Sequence, residues 1–445
     1  MAQPDAYESP QEMLSHRRTS SILSLNDDCL ERVLQKLGLQ DQLRFARTCP
    51  RFRRIYKMAT ARLHKSVNSD ELEKCTAREV CTFFKLSGAH VQSIKVMHIK
   101  ERLAKLVGDK CSNLRTLHFV FCPNMYLFMK SIMDNAYHLE ALEICSSGIR
   151  DKDISVLQNL TNLKILELSN CYITGRTFYE LPASIEVLKL NCLNLEVGSL
   201  PQTCKRLTKL RSLDLLRLYR YDEVFKMMVM ENSCPSLEVL RFTMGLRRNS
   251  AYVAQLPSLK ELMICSDILD TQDWQHYNNL LTLLIEGLVE YKYQELEHLT
   301  IGARLTKEQL KEVGKLSGLR VLCLSWVDFD YAPIAKLKML EKIVFNEPCV
   351  SDSMILHLFD ACPKLHYLGL KQICLNDKLV TGIAERVRQE MTNNNMKRKL
   401  PIELGFSTSD EEIRMFICNN PEAAPKKIIR LKGYNAYSFW AGWIC

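Results

Sequence analysis

The sequence predicts an α/β solenoid, in which short parallel strands stack in chain order behind a small helical module. The first observation is an apolar pattern, Leu-x-x-Leu-x-Leu-x-x-Cys, which residues 163–171 show in full. The second is a separate helical periodicity between residues 24 and 63. The third is the recurrence of the apolar pattern at intervals of 16 to 27 residues, opening at Leu114, Leu139, Leu163, Ile185, Leu210, Leu237, Leu259, Leu280, Leu296, Leu319, Leu340 and Leu365.

These intervals are typical of leucine-rich repeats, in which each unit supplies one strand and one return segment. Burying three aliphatic side chains per unit contributes roughly 5–9 kcal/mol, while ordering each backbone residue costs about 1–2 kcal/mol. A single unit therefore cannot fold alone, and stacked units must share one core. We expect a horseshoe with its parallel strands on the concave face.

Composition is that of a folded soluble protein of 445 residues, with 25% charged and 47% hydrophobic residues and a net charge of +9. We find no apolar run long enough to span a bilayer and no signal peptide in residues 1–20, which we interpret as a disordered leader. The 18 cysteines include no Cys-x-x-Cys pair. Several follow the strand pattern, which predicts small buried residues and a reducing compartment; these are Cys122, Cys145, Cys171, Cys192, Cys265, Cys349 and Cys374.

The N-terminal module is predicted to contain three helices. Its first helix has Leu30, Val33, Leu34 and Leu37 on one face, with Asn26 as N-cap and Gly38 at its end. Leu43, Phe45 and Ala46 mark a short second helix, and Pro50 begins a third with Phe52, Ile55, Tyr56, Ala59 and Leu63 on its apolar face. Because so small a module buries little surface, we expect an exposed apolar face to bind a partner.

This module resembles an F-box. The matching residues are Leu25, Asp28, Leu30, Val33, Leu34, Leu37, Asp41, Leu43, Cys49 and Phe52, the last in place of the family's Trp. The resemblance implies docking to the Skp-type adaptor of a cullin–RING ubiquitin ligase through Leu25, Asp28, Leu30, Val33, Leu34, Leu37, Leu43 and Phe52. Three positions depart from the family: its two prolines are Asn26 and Gly38 here, and one leucine is Gln42. An F-box followed by leucine-rich repeats is similar to the F-box/leucine-rich-repeat family.

A basic stretch leaves other partners open for the same module. Eight Lys or Arg residues and no Asp or Glu lie between Gln42 and Ser69, namely Arg44, Arg47, Arg51, Arg53, Arg54, Lys57, Arg62 and Lys65. A solvated basic face is the ordinary interpretation, with nucleic-acid phosphates or an acidic protein as alternatives.

Strand alternation places the fifth position of each repeat on the concave surface. The candidate target-binding residues there are Glu143, Glu167, Lys189, Asp214, Arg241, Met263, Leu284 and Thr300. The row begins at His118, and its later members, Cys323, Val344 and Gly369, are apolar or small. Such an apolar stretch predicts cover, either from a protein target or from the aromatic C-terminal segment after residue 433.

We expect five segments: a leader (1–20), the F-box (21–65), a linker with a capping helix (66–88), the solenoid (89–406) and a C-terminal tail (407–445). The 16-residue interval between Leu280 and Leu296 predicts a stunted repeat or an irregular loop. The basic run at 396–399 is too short to name as a nuclear signal.

No phosphate-binding loop, Gly-x-Ser-x-Gly or His-Glu-x-x-His motif appears in the sequence, so we predict a non-catalytic protein without cofactor or metal. The function implied by the resemblance is substrate recognition for an SCF-type ligase, with adaptor, cullin and RING subunits as partners, in cytoplasm or nucleus. The alternative is a leucine-rich-repeat scaffold without ligase function. Neither the target nor its degron can be read from the sequence.

Overall fold

The computed structural model describes residues 22–97, 101–122, 125–191, 195–196, 198–218, 222–245, 248–266, 274–326, 331–346, 351–371, 375–394, 396–420, 422 and 424–433. The predicted leader and the aromatic C-terminal segment (434–445) lie outside these residues, as do Cys192, Cys349 and Cys374. The chain forms two compact units, Met1–Leu139 and Glu140–Cys445.

The first unit opens with the three predicted helices: α1 (Asp27–Lys36), α2 (Leu39–Thr48) and α3 (Pro50–Leu63), after a 3₁₀ turn at Ile22–Ser24. Asn26 caps α1 as predicted, because its side chain accepts the Cys29 N–H at 2.8 Å. Pro50 begins α3, also as predicted. The role given to Gly38 was wrong: α1 ends at an extended Leu37, and Gly38 is the N-cap of α2.

Behind these helices, the first unit continues with strands that pair in parallel, β1 (Ser66–Asn68), β2 (Ser93–Met97) and β3 (Thr116–Val120). The connecting segments contain α4 (Ser69–Glu73), α5 (Ala77–Ser87), a 3₁₀ turn (Gly88–His90), α6 (Glu101–Lys110) and α7 (Met125–Met133). The single connecting helix expected after residue 70 is two helices, since Thr76 and Glu79 form a capping box that starts α5. Parallel pairing thus begins inside the stretch predicted as a linker.

The second unit is a parallel ladder whose described strands follow one another in chain order. They are β4 (Ala141–Cys145), β5 (Ile165–Ser169), β6 (Val187–Asn191), β7 (Ser212–Leu215), β8 (Val239–Thr243), β9 (Glu261–Cys265), β10 (His298–Arg304), β11 (Val321–Trp326), β12 (Lys342–Phe345), β13 (Tyr367–Leu370), β14 (Ile402–Phe406) and β15 (Ile429–Gly433). β15 pairs with β14, so the ladder extends into the stretch predicted as a tail. The predicted leucine-rich-repeat fold class is confirmed.

The return segments of the second unit vary between helix types. The α-helices are α8 (Ser199–Arg206), α9 (Asp222–Met230), α10 (Trp274–Lys292), α11 (Lys307–Val313), α12 (Asp352–Ala361), α13 (Asp377–Thr392) and α14 (Asp410–Asn419). The 3₁₀ segments are Asp151–Leu157, Phe178–Glu180, Arg248–Gln255 and Ile334–Lys336. Alternate strand residues such as Leu166 and Leu168 point into the core between ladder and returns and are 0% exposed.

The repeat predicted to open at Leu280 is wrong. Leu280, Leu281, Leu284, Ile285 and Leu288 are buried on one face of α10, where their spacing is helical. β9 pairs directly with β10 through Glu261 and His298, 37 positions apart (298 − 261). The short interval is therefore the middle of one long repeat, and no stunted repeat exists there.

Cysteines fill the turns after several strands, as predicted. Cys122 and Cys171 are buried, and their thiols donate to the backbone oxygens of Val120 and Ser169, both at 3.4 Å. Cys145 and Cys265 are half-buried. The 14 cysteines among the described residues are free thiols.

Candidate functional site

Half of the predicted adaptor-binding residues hold the helical module together. Leu30, Leu34 and Leu43 are fully buried and Phe52 is 4% exposed, because α1 and α2 both pack on α3. The Phe52 ring stacks on Phe45 with centroids 4.1 Å apart. The predicted stripe on α1 is therefore mainly an interior face, turned toward α3, and of its four residues only Val33 is exposed.

Apart from Met58 on α3, which is 65% exposed, the large exposed apolar residues among the described part of the module lie in its first turn and on α1. Ile22, Leu23, Leu25 and Val33 are 47%, 54%, 38% and 37% exposed; we call these four residues the apolar edge. Leu25 and Val33 were predicted from the sequence, whereas Ile22 and Leu23 were missed. They precede the first helix, so a search for helical periodicity did not reach them. Asp28 is exposed beside this edge, and Leu37 is half-buried.

Arg51 fixes the N-terminal turn of the apolar edge to α3. Its guanidinium donates to the backbone oxygens of Leu23 and Leu25, each at 2.7 Å, and pairs with Asp27 at 2.7 Å. The Arg51 hydrogen bond keeps the pKa of Asp27 below its usual value. The N-terminal turn is thus held in place, and its apolar side chains are presented without contacts that would bury them.

The three departures from the F-box pattern are accommodated locally. Asn26 and Gly38 both have φ of −70°, which a proline ring also imposes. Gln42 is buried, and its amide nitrogen donates to the backbone oxygens of Leu34 and Leu37 at 3.2 and 2.9 Å. It therefore satisfies carbonyls at the end of α1, which the family's leucine cannot do.

Half of the basic stretch is paired with neighbouring carboxylates. Arg44 pairs with Asp41 and Glu79, Arg51 and Arg54 pair with Asp27, and Arg62 pairs with Glu31. Four of the eight predicted basic residues are thus engaged within the first unit. This arrangement does not favour the nucleic-acid alternative, which needs cations free to contact phosphates.

In the second unit, seven of the eight predicted target-binding residues share one row of the ladder. Register partners run in the order Glu143, Glu167, Lys189, Asp214, Arg241, Met263, Thr300, Cys323, Val344 and Gly369; we call this the central row. Leu284 is not part of it, because this residue is fully buried in α10. His118 lies in the first unit, where it pairs with Lys95.

Two ion pairs link residues in the first half of the central row. Lys189 lies 3.2 Å from Glu167, and Arg241 lies 3.7 Å from Asp214. Burial raises the pKa of Asp214, although the Leu216 N–H donates to this carboxylate at 3.0 Å. Two residues before Met263 and Thr300 on the same strands, the His298 ring nitrogen lies 2.8 Å from the Glu261 carboxylate, and this contact lowers the pKa of Glu261.

The second half of the central row is buried. The C-terminal segment, one of the two covers predicted for it, lies at residues 434–445, outside the described residues. Met263, Cys323 and Val344 are 6%, 5% and 1% exposed. Val321, Cys323 and Val344 form one apolar cluster with Tyr367 against it. Gly369 makes room for this packing, since a Cβ there would lie 3.0 Å from a Val344 methyl carbon.

A cleft of about 570 Å³ opens beside the first half of the central row. Its lining runs from Cys145 at the end of β4 to Gly302 on β10 and includes Glu167, Lys189 and Asp214 of the predicted set. It also contains Asn191 and Arg217, which the sequence analysis missed. Their position in the repeat could have identified some of the missed residues, because Ser146, Asn170 and Arg217 each lie three residues after a central-row residue.

These three residues share a left-handed backbone. Their φ angles are 50°, 53° and 62°, in a region that Asn tolerates and Arg rarely adopts. The Arg217 N–H donates to the Thr243 hydroxyl at 2.9 Å, which fixes this conformation. Strained non-glycine residues of this kind concentrate at functional sites.

The described residues contain no group of three or more His, Cys, Asp or Glu side chains arranged to hold a metal ion. None of the helices within that part of the chain combines the length and apolar character needed to cross a membrane. Both candidate surfaces are instead suited to protein contacts, one apolar and one polar.

Comparisons with known proteins give one family match. The F-box domain model matches residues 22–57, which span the apolar edge and the first half of α3. No curated protein matches the chain in sequence. Matching solved structures include the crystal structure of an internalin from Listeria monocytogenes, at 16% identity and a TM-score of 0.33, covering 81% of this chain and 85% of that one.

Proposed function

We propose that this chain, an F-box/leucine-rich-repeat protein, is the substrate-recognition subunit of an SCF-type ubiquitin ligase. In this role the F-box docks to a Skp-type adaptor, and through it to cullin and RING subunits, while the repeats bind a protein target. F-box and leucine-rich-repeat folds are typically non-catalytic, so we assign catalysis to the partner subunits. The chain then contributes proximity, which raises the effective concentration of target lysines.

The apolar edge is the observation that carries this proposal. Four aliphatic side chains lie exposed within a domain that matches the F-box, and Arg51 holds the backbone of two of them, Leu23 and Leu25, in place. An exposed apolar cluster on a small module favours a protein-binding role. The fourteen free thiols are consistent with the cytoplasm or nucleus, where we place this assembly.

The test is co-purification of the full chain with a Skp-type adaptor. We expect wild type to bind, and Leu25→Asp and Val33→Asp to weaken binding at least tenfold, because each places a charge in an apolar contact. Met230→Asp is the matched control, since Met230 is 69% exposed in the second unit. Leu34→Asp is unsuitable, because it places a charge in the module's interior and would prevent folding.

A scaffold without ligase function is the second candidate. It is favoured by Asn26, Gly38 and Gln42, which replace residues that help to grip the adaptor in the F-box family. If wild-type chain fails to bind the adaptor while Leu25→Asp leaves its folding and other contacts unchanged, the ligase assignment is wrong and the scaffold remains.

A further inference from the structure

The cleft in the second unit contains an unusual cation. Arg217 is exposed, lines the cleft and, within the described part of the chain, forms no ion pair. It occupies a left-handed position that its counterparts in two other repeats fill with Ser146 and Asn170. A left-handed arginine without an ion-pair partner does not stabilise the fold at this position, and backbone strain of this kind points to a contact outside the chain.

Among the charged residues that line the cleft, Arg217 is the one without an ion pair to a described residue. The carboxylate of Glu167 is paired by Lys189, and that of Asp214 is paired by Arg241. The remaining lining is mainly uncharged and polar, including Ser169 and Asn191. The Asn191 side-chain amide has no hydrogen-bond partner among the described residues. The cleft thus presents the guanidinium of Arg217 and the side-chain amide of Asn191 beside carboxylates that are already paired.

The cleft is long enough for an extended peptide. Its lining spans β4 to β10, which are six strand spacings apart in the ladder. At about 4.8 Å per spacing this is roughly 29 Å, the length of about eight or nine extended residues.

We propose that this cleft binds an extended segment of the target and that Arg217, with Asn191, recognises a single Asp or Glu side chain in it. The inference rests on the proposed function for the identity of its partner as a ligase target. A carboxylate accepts two parallel hydrogen bonds from a guanidinium. One uncompensated positive charge balances one carboxylate, whereas a phosphate dianion would leave an excess negative charge beside Glu167 and Asp214. The cleft therefore selects a carboxylate over a phosphoserine.

The test begins with random nine-residue peptides displayed on phage and selected on the immobilised full chain. We expect one position to become enriched in Asp or Glu. A synthetic peptide of the selected sequence is then compared with its Glu→Gln form by fluorescence anisotropy. The Gln peptide is expected to bind about tenfold more weakly to wild type. Arg217→Gln weakens the Glu peptide by the same factor and leaves the Gln peptide unchanged, as coupled partners require.

Arg211→Gln is the matched control, since Arg211 is an exposed arginine of the same repeat outside the cleft. It should leave both peptides unaffected. Arg217→Gly adds a second readout: it removes the side chain and relieves the left-handed strain. We expect it to weaken the Glu peptide as Arg217→Gln does while raising the melting temperature by roughly 2 °C.

The proposal is overturned if no acidic position is enriched, if Arg217→Gln and Arg211→Gln have equal effects, or if a phosphoserine peptide binds tenfold more tightly than the Glu peptide. Co-purification with the adaptor tests the proposed function independently of the peptide measurements, and Arg217→Gln should bind the adaptor as the wild type does. If the wild type fails to bind the adaptor but the peptide results are as expected, the ligase assignment is wrong and the cleft inference still holds.

Discussion

Gly38 occupies a backbone position that suits proline. Its φ is −70°, the preceding Leu37 is extended at ψ of 147°, and a Cβ at Gly38 would meet nothing within 4 Å. Gly38→Pro should therefore stabilise the chain by about 0.4–1 kcal/mol, chiefly by restricting the unfolded state. Urea unfolding followed by circular dichroism measures this, with Gly148→Pro as a comparison in the second unit. A lower midpoint for Gly38→Pro would contradict the argument.

His64 makes the first unit sensitive to acid. It is 7% exposed, and burial lowers its pKa to about 4. Its ring lies 5.3 Å from Phe83 and 5.7 Å from Tyr56, between centroids. The unfolded chain takes up a proton below about pH 6.5, whereas the folded chain resists until about pH 4. Stability is thus complete above pH 6.5 and falls as pH drops toward 4, by on the order of 3 kcal/mol from this residue.

His64→Phe is expected to remove that part of the pH dependence. The melting temperature of wild type, measured between pH 7.5 and 4.5, should fall more steeply than that of the variant. Tyr56 and Phe83 remain in both proteins and keep the aromatic contacts comparable. Parallel curves for the two proteins would show that His64 is not the titrating group.

At single residues, the sequence predicted the roles that depend on the adjacent backbone, and it did not predict the roles that depend on contacts with other elements. Asn26 and Pro50 were identified correctly because capping and proline rules act within one turn. From the sequence, Gln42 is only a departure from the F-box pattern, because the two carbonyl groups that it contacts belong to α1 and its C-cap. Arg217 was missed for a similar reason, because its left-handed conformation is fixed by Thr243 on the next strand.

Among the elements, α10 shows where apolar spacing is ambiguous. Leu280 and Leu284 fit a strand pattern if every leucine run is assumed to open a repeat, but Leu281, Ile285 and Leu288 complete a helical face. The strands were predicted at the correct places. Apolar residues at alternate positions within five residues, repeated along the chain, fit a pleated strand with one face buried. The returns were not predicted, since 3₁₀ segments and helices of different lengths cover the same core.

Arg398 joins the end of α12 to α13 in the second unit. Its side chain is 1% exposed, donates to the carbonyl oxygens of Phe359, Cys362 and Leu365, and pairs with Glu390. It lies 3.8 Å from the centroid of the Phe359 ring. These carbonyls lie at and after the end of α12, where a cation is favourable. The basic run of the sequence thus contains a buried structural arginine.

We expect Arg398→Ala to destabilise the second unit by about 3 kcal/mol, because it leaves buried carbonyls unpaired. Arg398→Lys should recover part of this loss, since an ammonium lacks the planar set of five donors. Arg386→Ala is the control: Arg386 pairs with Asp360 at 2.8 Å in a partly exposed site and should cost under about 1 kcal/mol. Urea midpoints rank the three variants, and equal midpoints for Arg398→Ala and Arg386→Ala would refute the assignment.

On the scale of whole units, the F-box helices share a core with the segment that follows them. The Tyr56 hydroxyl lies 3.1 Å from the Ser87 hydroxyl, and the His64 ring packs edge-on against Phe83. Arg44 pairs with Glu79 across the same contact. The boundary proposed at residue 65 therefore passes through packed side chains, because composition marks a change of pattern and carries no information about contacts across it.

A variant lacking residues 1–65 is expected to expose Phe83 and Phe84, which are 0% and 1% exposed in the full chain. It should bind 8-anilinonaphthalene-1-sulfonate more strongly than wild type and should aggregate on gel filtration. The double variant Leu25→Asp, Val33→Asp is the control, since it changes only exposed positions and should elute like wild type. A well-behaved truncated variant would show that the F-box helices are dispensable for folding of the first unit.

The long return through α10 has a practical consequence. The ladder pairs across it in the same register as elsewhere, and Leu283 is 46% exposed on its outer side. Because Cys29 and Cys418 are exposed free thiols, a thiol-directed label would not be specific. A biotin or dye attached through an azide-bearing amino acid in place of Leu283 would instead hold the molecule by the outer side of α10 and leave the peptide-facing side open to solution. Every copy on a sensor chip would then point the same way, and weak ligands become measurable without interference from the surface.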